Sequence, residues 1–318
     1  MGSRTKALDK SDLMLQSKKK RIFKDNLTLF LMALPGIISV IIFKYLPMPN
    51  LVLAFKDYIP RRGVWGSEWV GFENFKFIFM TDDLQTIVRN TVSYGCFFLI
   101  WDIIVGIVVA LLLYHLTSKR ASNLYKMIMQ FPRFLSIVVV SYLAYGFLSP
   151  TYGIVNQIIT ATGGDPVQWY REAGYWPVIL TIVRTWITMG ANCLLYYATL
   201  LSIDSSLFEA ASIDGATTLQ KCWYVAIPAL KPVICMNLTF GMGSIFGGNL
   251  DLFYNIPLSH GELFSTTQNI DTYVFRALLG GEISRPTAVG LMQAVIALVL
   301  VLVFNSIMRK ISPDDALF

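Results

Sequence analysis

The chain has 318 residues, 55% of them hydrophobic and only 14% charged, where soluble domains carry roughly 25% charged residues. With a mean hydropathy of +0.56, that balance excludes an ordinary soluble domain and points to a protein solvated by lipid. The net charge of +6 is no nucleic-acid signal, because the basic residues gather on no single soluble face.

In chain order, residues 1–26 form a basic tail that includes the run Lys18-Lys19-Lys20-Arg21. The apolar stretch that follows is longer than the roughly 7–15-residue core of a signal peptide, so it reads as an uncleaved first span. A span needs about 20 mainly apolar residues. Six segments qualify: 27–46, 91–114, 124–148, 176–200, 230–250 and 288–307. The expectation is an all-α integral membrane fold of six transmembrane helices over 27–310, closed by a short tail at 311–318. The fifth segment is the weakest. Gly241, Gly243, Gly247 and Gly248 loosen its outer half, and it is expected to break before the far surface.

The loop at 47–90 carries Trp65, Trp69, Phe72, Phe75, Phe77 and Phe79, a spacing that suits a short helix lying in the membrane interface. The loops at 149–175 and 251–286 are long enough to build a small outer surface.

Lys and Arg set the orientation. Arg4, Lys6, Lys10, Lys18, Lys19, Lys20, Arg21, Lys24, Lys119, Arg120, Lys126, Lys221, Lys231, Arg309 and Lys310 fall on one side. A smaller set, Lys56, Arg61, Arg62, Lys76, Arg89, Arg171, Arg276 and Arg285, falls on the other. Both termini are therefore expected in the cytoplasm. Lys44, Arg133 and Arg184 remain at membrane depth. Lys44 is near a span end and can snorkel. Charges within spans are costly and face a bundle interior or water. Two readings stay open for Arg133 and Arg184: a polar translocation path, or a structural contact to another subunit or a head group.

Catalytic chemistry has no footing. No GxxxxGK[ST], HExxH or GxSxG occurs. Cys96, Cys193, Cys222 and Cys235 lie in or beside apolar stretches without metal spacing, and the only histidines are His115 and His260. The expectation is no enzyme, no metal and no cofactor in this chain. Asp102 stands nearly alone as a carboxylate within the spans, whereas a proton-coupled carrier more often shows several.

The 201–229 segment is too long for a simple turn. Asp204 can cap a helix over 206–213. Gly215 permits the left-handed residue that ends it. Thr217 or Thr218 can start a second helix through about Val225, and Pro228 is tolerated in the first turn of the next span. Leu207, Ala210 and Ala211 share one side of the first helix. Small alanines admit a partner closely, and Glu209 offers a carboxylate beside them, as in helix-in-groove recognition. The plain alternative is a solvated amphipathic loop.

Glu209-Ala210-Ala211, Gly215 and Ile227-Pro228 resemble the EAA loop of binding-protein-dependent ABC importer permeases, although the family's usual Leu before the proline is replaced by Ile227. Tyr45-Leu-Pro-Met, Ala54-Phe-Lys-Asp57, Trp69-Val-Gly-Phe-Glu-Asn-Phe75, Ile270-Asp-Thr-Tyr-Val-Phe-Arg276 and Thr287-Ala-Val-Gly290 extend the resemblance to the LplB-like polysaccharide permeases of the carbohydrate branch. The resemblance implies a type I importer permease fold in a bacterial cell membrane. It implies pairing with a second, different permease, two ATPase subunits that bind ATP and Mg, and an extracellular sugar-binding lipoprotein. Glu209, Ala210, Ala211, Asp214, Gly215 and Pro228 would then form the ATPase-coupling loop, and the substrate would be an oligosaccharide. Sugar sites need polar groups and aromatic faces in a cavity. Chemistry and depth single out Arg184, Asn192, Tyr196, Asn237, Asn249, Asp251, Tyr254 and Gln293, with structural hydrogen bonding as the alternative for each. An ion-coupled secondary carrier and a pore-less assembly subunit are the competing classes.

Overall fold

The computed structural model describes residues 26–80 and 83–311. The basic tail expected at 1–26 lies outside the described residues up to position 25, and the closing tail does so from 312. Among the described residues, five helices are long and apolar enough to cross a membrane. They are α1 (Asn26–Phe55), α3 (Leu84–Tyr114), α7 (Trp176–Leu201), α9 (Thr218–Ser244) and α12 (Ser284–Ile311).

The third expected span is not one helix. It divides into α4 (Lys119–Gln130) and α5 (Ile137–Leu148), bent by 99° at a tight turn around Phe131–Phe134. Two causes are visible in the residues. Lys119, Arg120, Ser122, Asn123 and Lys126 make α4 amphipathic rather than apolar all round, and Pro132 lacks the amide that would continue the ladder. At 1.5 Å per residue, α5 alone is about 18 Å long, short of the roughly 30 Å hydrocarbon core. Arg133 sits exposed at this bend, not inside a span as expected.

The fifth segment breaks as its glycines foretold. α9 ends at Ser244, and the chain turns through 245–249 into the short α10 (Leu250–Asn255). The second expected span starts earlier than its apolar run, at Leu84 rather than near 91. A small two-stranded ribbon departs from the all-α expectation: β1 (Lys56–Asp57) pairs antiparallel with β2 (Glu68–Trp69). α2 (Glu73–Phe79) follows it. The aromatic residues here do not line a single interfacial helix. Phe55 gathers Trp69, Phe72 and Phe75 around itself at centroid distances of 5.3–5.7 Å. Asn74 fastens the cluster by donating to the Ala54 and Lys56 carbonyls at 3.0 and 2.9 Å. Trp65 and Trp69 stay exposed, as amphipathic rings at an interface do, and so do Phe72 and Phe79.

The core is divided into two larger clusters along α3 and α7 and a smaller third one of Ile87, Ile270 and Val289. One of the larger clusters joins Phe98, Trp176, Leu180, Phe253 and Leu263. The other joins Ala110, Leu113, Tyr196, Leu200 and Leu230 nearer the 201–229 end. α1 contributes to neither, and none of residues 26–50 is buried. α4 lies across α7 at Gly190, where an added Cβ would run into the Met129 carbonyl and stand 2.8 Å from the Gln130 amide nitrogen. Both are backbone atoms and cannot rotate away. Gly190→Val is therefore expected to cost about 1–3 kcal/mol in overpacking and lower the thermal unfolding midpoint of the detergent-solubilised protein. Gly36→Ala, where nothing lies within 4 Å, should leave it unchanged.

Candidate functional site: a charge-paired cavity and a capped surface loop

Between the two larger core clusters lies a cavity of about 390 Å³, walled by α3, α7, α9 and the 245–249 break. Its charged groups come from α3 and α7. Arg184 donates through Nε and Nη2 to Asp102 Oδ2 at 3.2 and 2.7 Å. Its Nη1 donates to Asn249 Oδ1 at 2.8 Å, and its guanidinium lies 4.6 Å from the Phe98 ring centroid. The pair is mostly buried, with side-chain exposures of 24% and 19%. Asn237 donates to the Tyr196 hydroxyl at 2.9 Å across the same space.

The network continues behind the break. The Asn249 amide donates to Asp271 Oδ2 at 3.1 Å, and Gln293 Nε2 donates to Asp271 Oδ1 at 3.0 Å and to the Phe246 carbonyl. Asp271 opens α11 (Ile270–Leu279) and Gln293 belongs to α12. A chain of polar contacts therefore links α3, α7, the break, α11 and α12.

Of the eight residues expected to line a substrate path, the fold brings five to this cavity: Arg184, Asn192, Tyr196, Asn237 and Asn249. Gln293 stands one contact behind it. Asp251 and Tyr254 lie on α10, beyond the break; Asp251 is exposed, and Tyr254 packs edge-on against Phe275. Sequence reasoning noted Asp102 without assigning it a partner and passed over Asp271. Asp102 is three residues after Leu99 within the apolar stretch of α3, and an isolated acid opposite an isolated base was the available signal. Asp271 reads locally as a favourable acid in a first helical turn, which masks its longer reach.

The 201–229 segment folds as its residues dictate. Asp204 accepts from the Ser206 amide at 3.0 Å and caps α8 (Ser205–Ile213); the Ser206 amide and hydroxyl hold its carboxyl below the usual carboxylate range. Gly215, at φ 79°, supplies the left-handed residue that turns the chain. Thr217 and Gln220 form a reciprocal capping box at the start of α9. Lys221 then reaches back to the Ser212 hydroxyl at 2.7 Å. Phe208 anchors α8 to the bundle through Tyr114, ring centroids 5.5 Å apart, and Ala211 is half-buried beside it. The opposite face leaves Leu207, Glu209, Ala210 and Ile213 in the open. Pro228 follows a widened turn over Cys222–Ala226, where the Ile227 amide bonds the Cys222 carbonyl five residues back. The proline ring would crowd a normal turn, and the widening relieves it.

A lipid-solvated helical bundle with a polar cavity at mid-helix and a capped loop standing off one end defines a multi-pass transport protein. Residues 102–314 match the family described as the binding-protein-dependent transport system inner membrane component, and the chain belongs to that family. It is 30% identical to Protein LplB of Bacillus subtilis (strain 168), over 90% of each chain. It is 31% identical to the polygalacturonan/rhamnogalacturonan transport system permease protein YteP of the same organism, over 90% of this chain and 89% of that one. Among solved structures, a bacterial ABC transporter involved in import of the acidic polysaccharide alginate superposes with a TM-score of 0.82 at 30% identity, covering 93% of this chain and 99% of that one. The bacterial alginate ABC transporter in complex with alginate pentasaccharide-bound periplasmic protein gives 0.81 over 92% and 97%. The fold is that of a type I ABC permease.

Removing one member of the Asp102–Arg184 pair strands the other in a mostly buried site. Arg184→Met alone is expected to cost about 2–3 kcal/mol, and Asp102→Leu a similar amount. The double substitution should recover most of the loss in thermal unfolding of the purified protein. Additive losses would show that the two side chains do not act as a pair.

Proposed function

We propose that this chain is one permease half of an ATP-driven importer for an oligosaccharide or polysaccharide fragment in a bacterial inner membrane. The observation that carries the reading is α8: a capped helix anchored by Phe208 whose other face exposes Leu207, Ala210 and Ile213 around Glu209. Apolar side chains rimmed by one acid suit a groove on a soluble partner. ATP and Mg would be held by two copies of that partner, an ATPase, coupled through Glu209, Ala210, Ala211, Asp214, Gly215 and Pro228.

In this reading residues 1–26 and 311–318 lie in the cytoplasm, and the α4–α5 pair serves as a sixth crossing. A second, different permease completes the pathway, and the unburied length of α1 offers it surface. An extracellular sugar-binding lipoprotein delivers the substrate. Arg184, Asn192, Tyr196, Asn237 and Asn249 would line the path, with Gln293 holding the break in position and Asp251 and Tyr254 further out on α10. The names of the relatives, one for polygalacturonan/rhamnogalacturonan and one for alginate, support a carbohydrate cargo.

The test is ATPase activity of the reconstituted complex with and without sugar-loaded binding protein. Loaded binding protein should stimulate hydrolysis severalfold in the wild type, and Glu209→Lys should lose that stimulation. Substrate movement without any ATPase would favour an ion-coupled carrier instead. Stimulation intact in Glu209→Lys would leave the importer reading in place and remove the role given to Glu209.

A further inference from the structure

On the other side of the α3–α7 contact from the cavity, a second groove of about 560 Å³ opens sideways between the same two helices. Its floor is apolar: Tyr94, Phe97 and Trp101 from α3 face Val178 and Ile182 from α7. Both ends are defined. At mid-helix it is closed by Trp101, which stacks on Phe97 with centroids 5.7 Å apart and donates through Nε1 to Thr185 Oγ1 at 2.8 Å. At the end away from the 201–229 loop stands Arg89, exposed, with Nη2 resting on the Ser265 carbonyl at 3.0 Å.

From Arg89 to Trp101 is a rise of about 18 Å along α3. Half of a roughly 30 Å hydrocarbon core is about 15 Å. The groove therefore runs the depth of one leaflet, from a cation at head-group level to a stop near the midplane. A transmembrane helix from a partner would need a contact surface running the full thickness, and the Trp101–Thr185 closure interrupts one. A lipid acyl chain needs only one leaflet, and the cation sits where its phosphate would lie. We propose that this groove is a binding site for a phospholipid, one acyl chain lying along Tyr94, Phe97 and Trp101 and the phosphate at Arg89. A resident lipid there braces α3 and α7 from outside, opposite the face on which Asp102 and Arg184 meet. The site stands independently of the cargo and of the motor.

The test is native mass spectrometry of the complete transporter, this permease with its partner subunits, extracted from membranes and exchanged through detergent. Wild type should retain one phospholipid more than Ser93→Trp, whose indole would fill the groove from its exposed rim. Arg89→Gln should lower retention about fivefold, the effect of one basic residue near a lipid head group. Should Ser93→Trp fail to assemble, Arg89→Gln decides alone. Equal retention by wild type and Arg89→Gln overturns the proposal. So does cross-linking of a photoreactive residue placed at position 178 to another subunit, because protein would then occupy the groove.

Discussion

In hydrocarbon every backbone amide and carbonyl must find its partner within the protein, because each one left over costs several kcal/mol. This chain nevertheless interrupts its helices at four places within or beside apolar segments, and much of its architecture is the means by which those interruptions are satisfied. Before Pro47 the turn widens, and Leu46 bonds Ile41 five residues back at 2.8 Å. Before Pro228 the same solution recurs with Ile227 and Cys222. At the α4–α5 bend the Leu135 amide returns to the Pro132 carbonyl at 3.1 Å. At 245–249 local turns do not suffice. There the Asn249 amide and the Phe246 carbonyl are taken up by Asp271 and Gln293, side chains from two other helices.

That last repair explains why charge is tolerated beside the cavity. Two unit charges 4 Å apart attract by about 4 kcal/mol at an effective dielectric near 20, while withdrawing each ion from water costs several kcal/mol. The terms nearly cancel, so Asp102 and Arg184 are not explained as a source of stability. What the pair does is geometric. Arg184 has donors enough to hold Asp102 and Asn249 at once, and Asn249 is the residue on which the broken helix turns. A hydrophobic pair of the same size would fill the space and leave the Asn249 side chain without its donor.

The long apolar runs made the helical class and most spans legible in the sequence, because in lipid the length of a run is itself the structural constraint. The caps at Asp204 and Thr217, the turn at Gly215 and the break after Gly241 and Gly243 were legible for a similar reason: each is decided by residues within one or two turns. What could not be read was set by distance. The bend at Pro132 depends on α4 finding α7 at Gly190, sixty residues on. The ribbon at Lys56–Asp57 depends on Trp69 stacking over Phe55. Asp271 belongs to the cavity's support only because the 245–249 break and α12 carry Asn249 and Gln293 to it. The five polar residues that converge on the cavity were found by depth and chemistry, and depth was enough because α7 and α9 are nearly uninterrupted there. It failed for Asp251 and Tyr254, which follow the break and no longer share the bundle's register.

The same connections bear on how a motion at one end could reach the other. α8 is tied to α9 by the Lys221–Ser212 bond and the capping box, not by a slack linker. α9 then runs 27 residues to Ser244, about 40 Å at 1.5 Å per residue, and delivers the chain directly to the turn that Arg184 holds. Along that path Pro232 lacks an amide for the ladder, and the most softened element is the widened turn before Pro228, close to α8. Beyond it Leu230 and Thr239 are buried, and the helix is held by its neighbours. A tilt imposed on α8 would therefore be absorbed at the widened turn or passed along α9 to the Asn249 contact. Because Lys221 bridges across to Ser212 just before the widened turn, the surface loop and the first turn of α9 move as one piece. The cavity's polar latch then lies at the far end of the same lever.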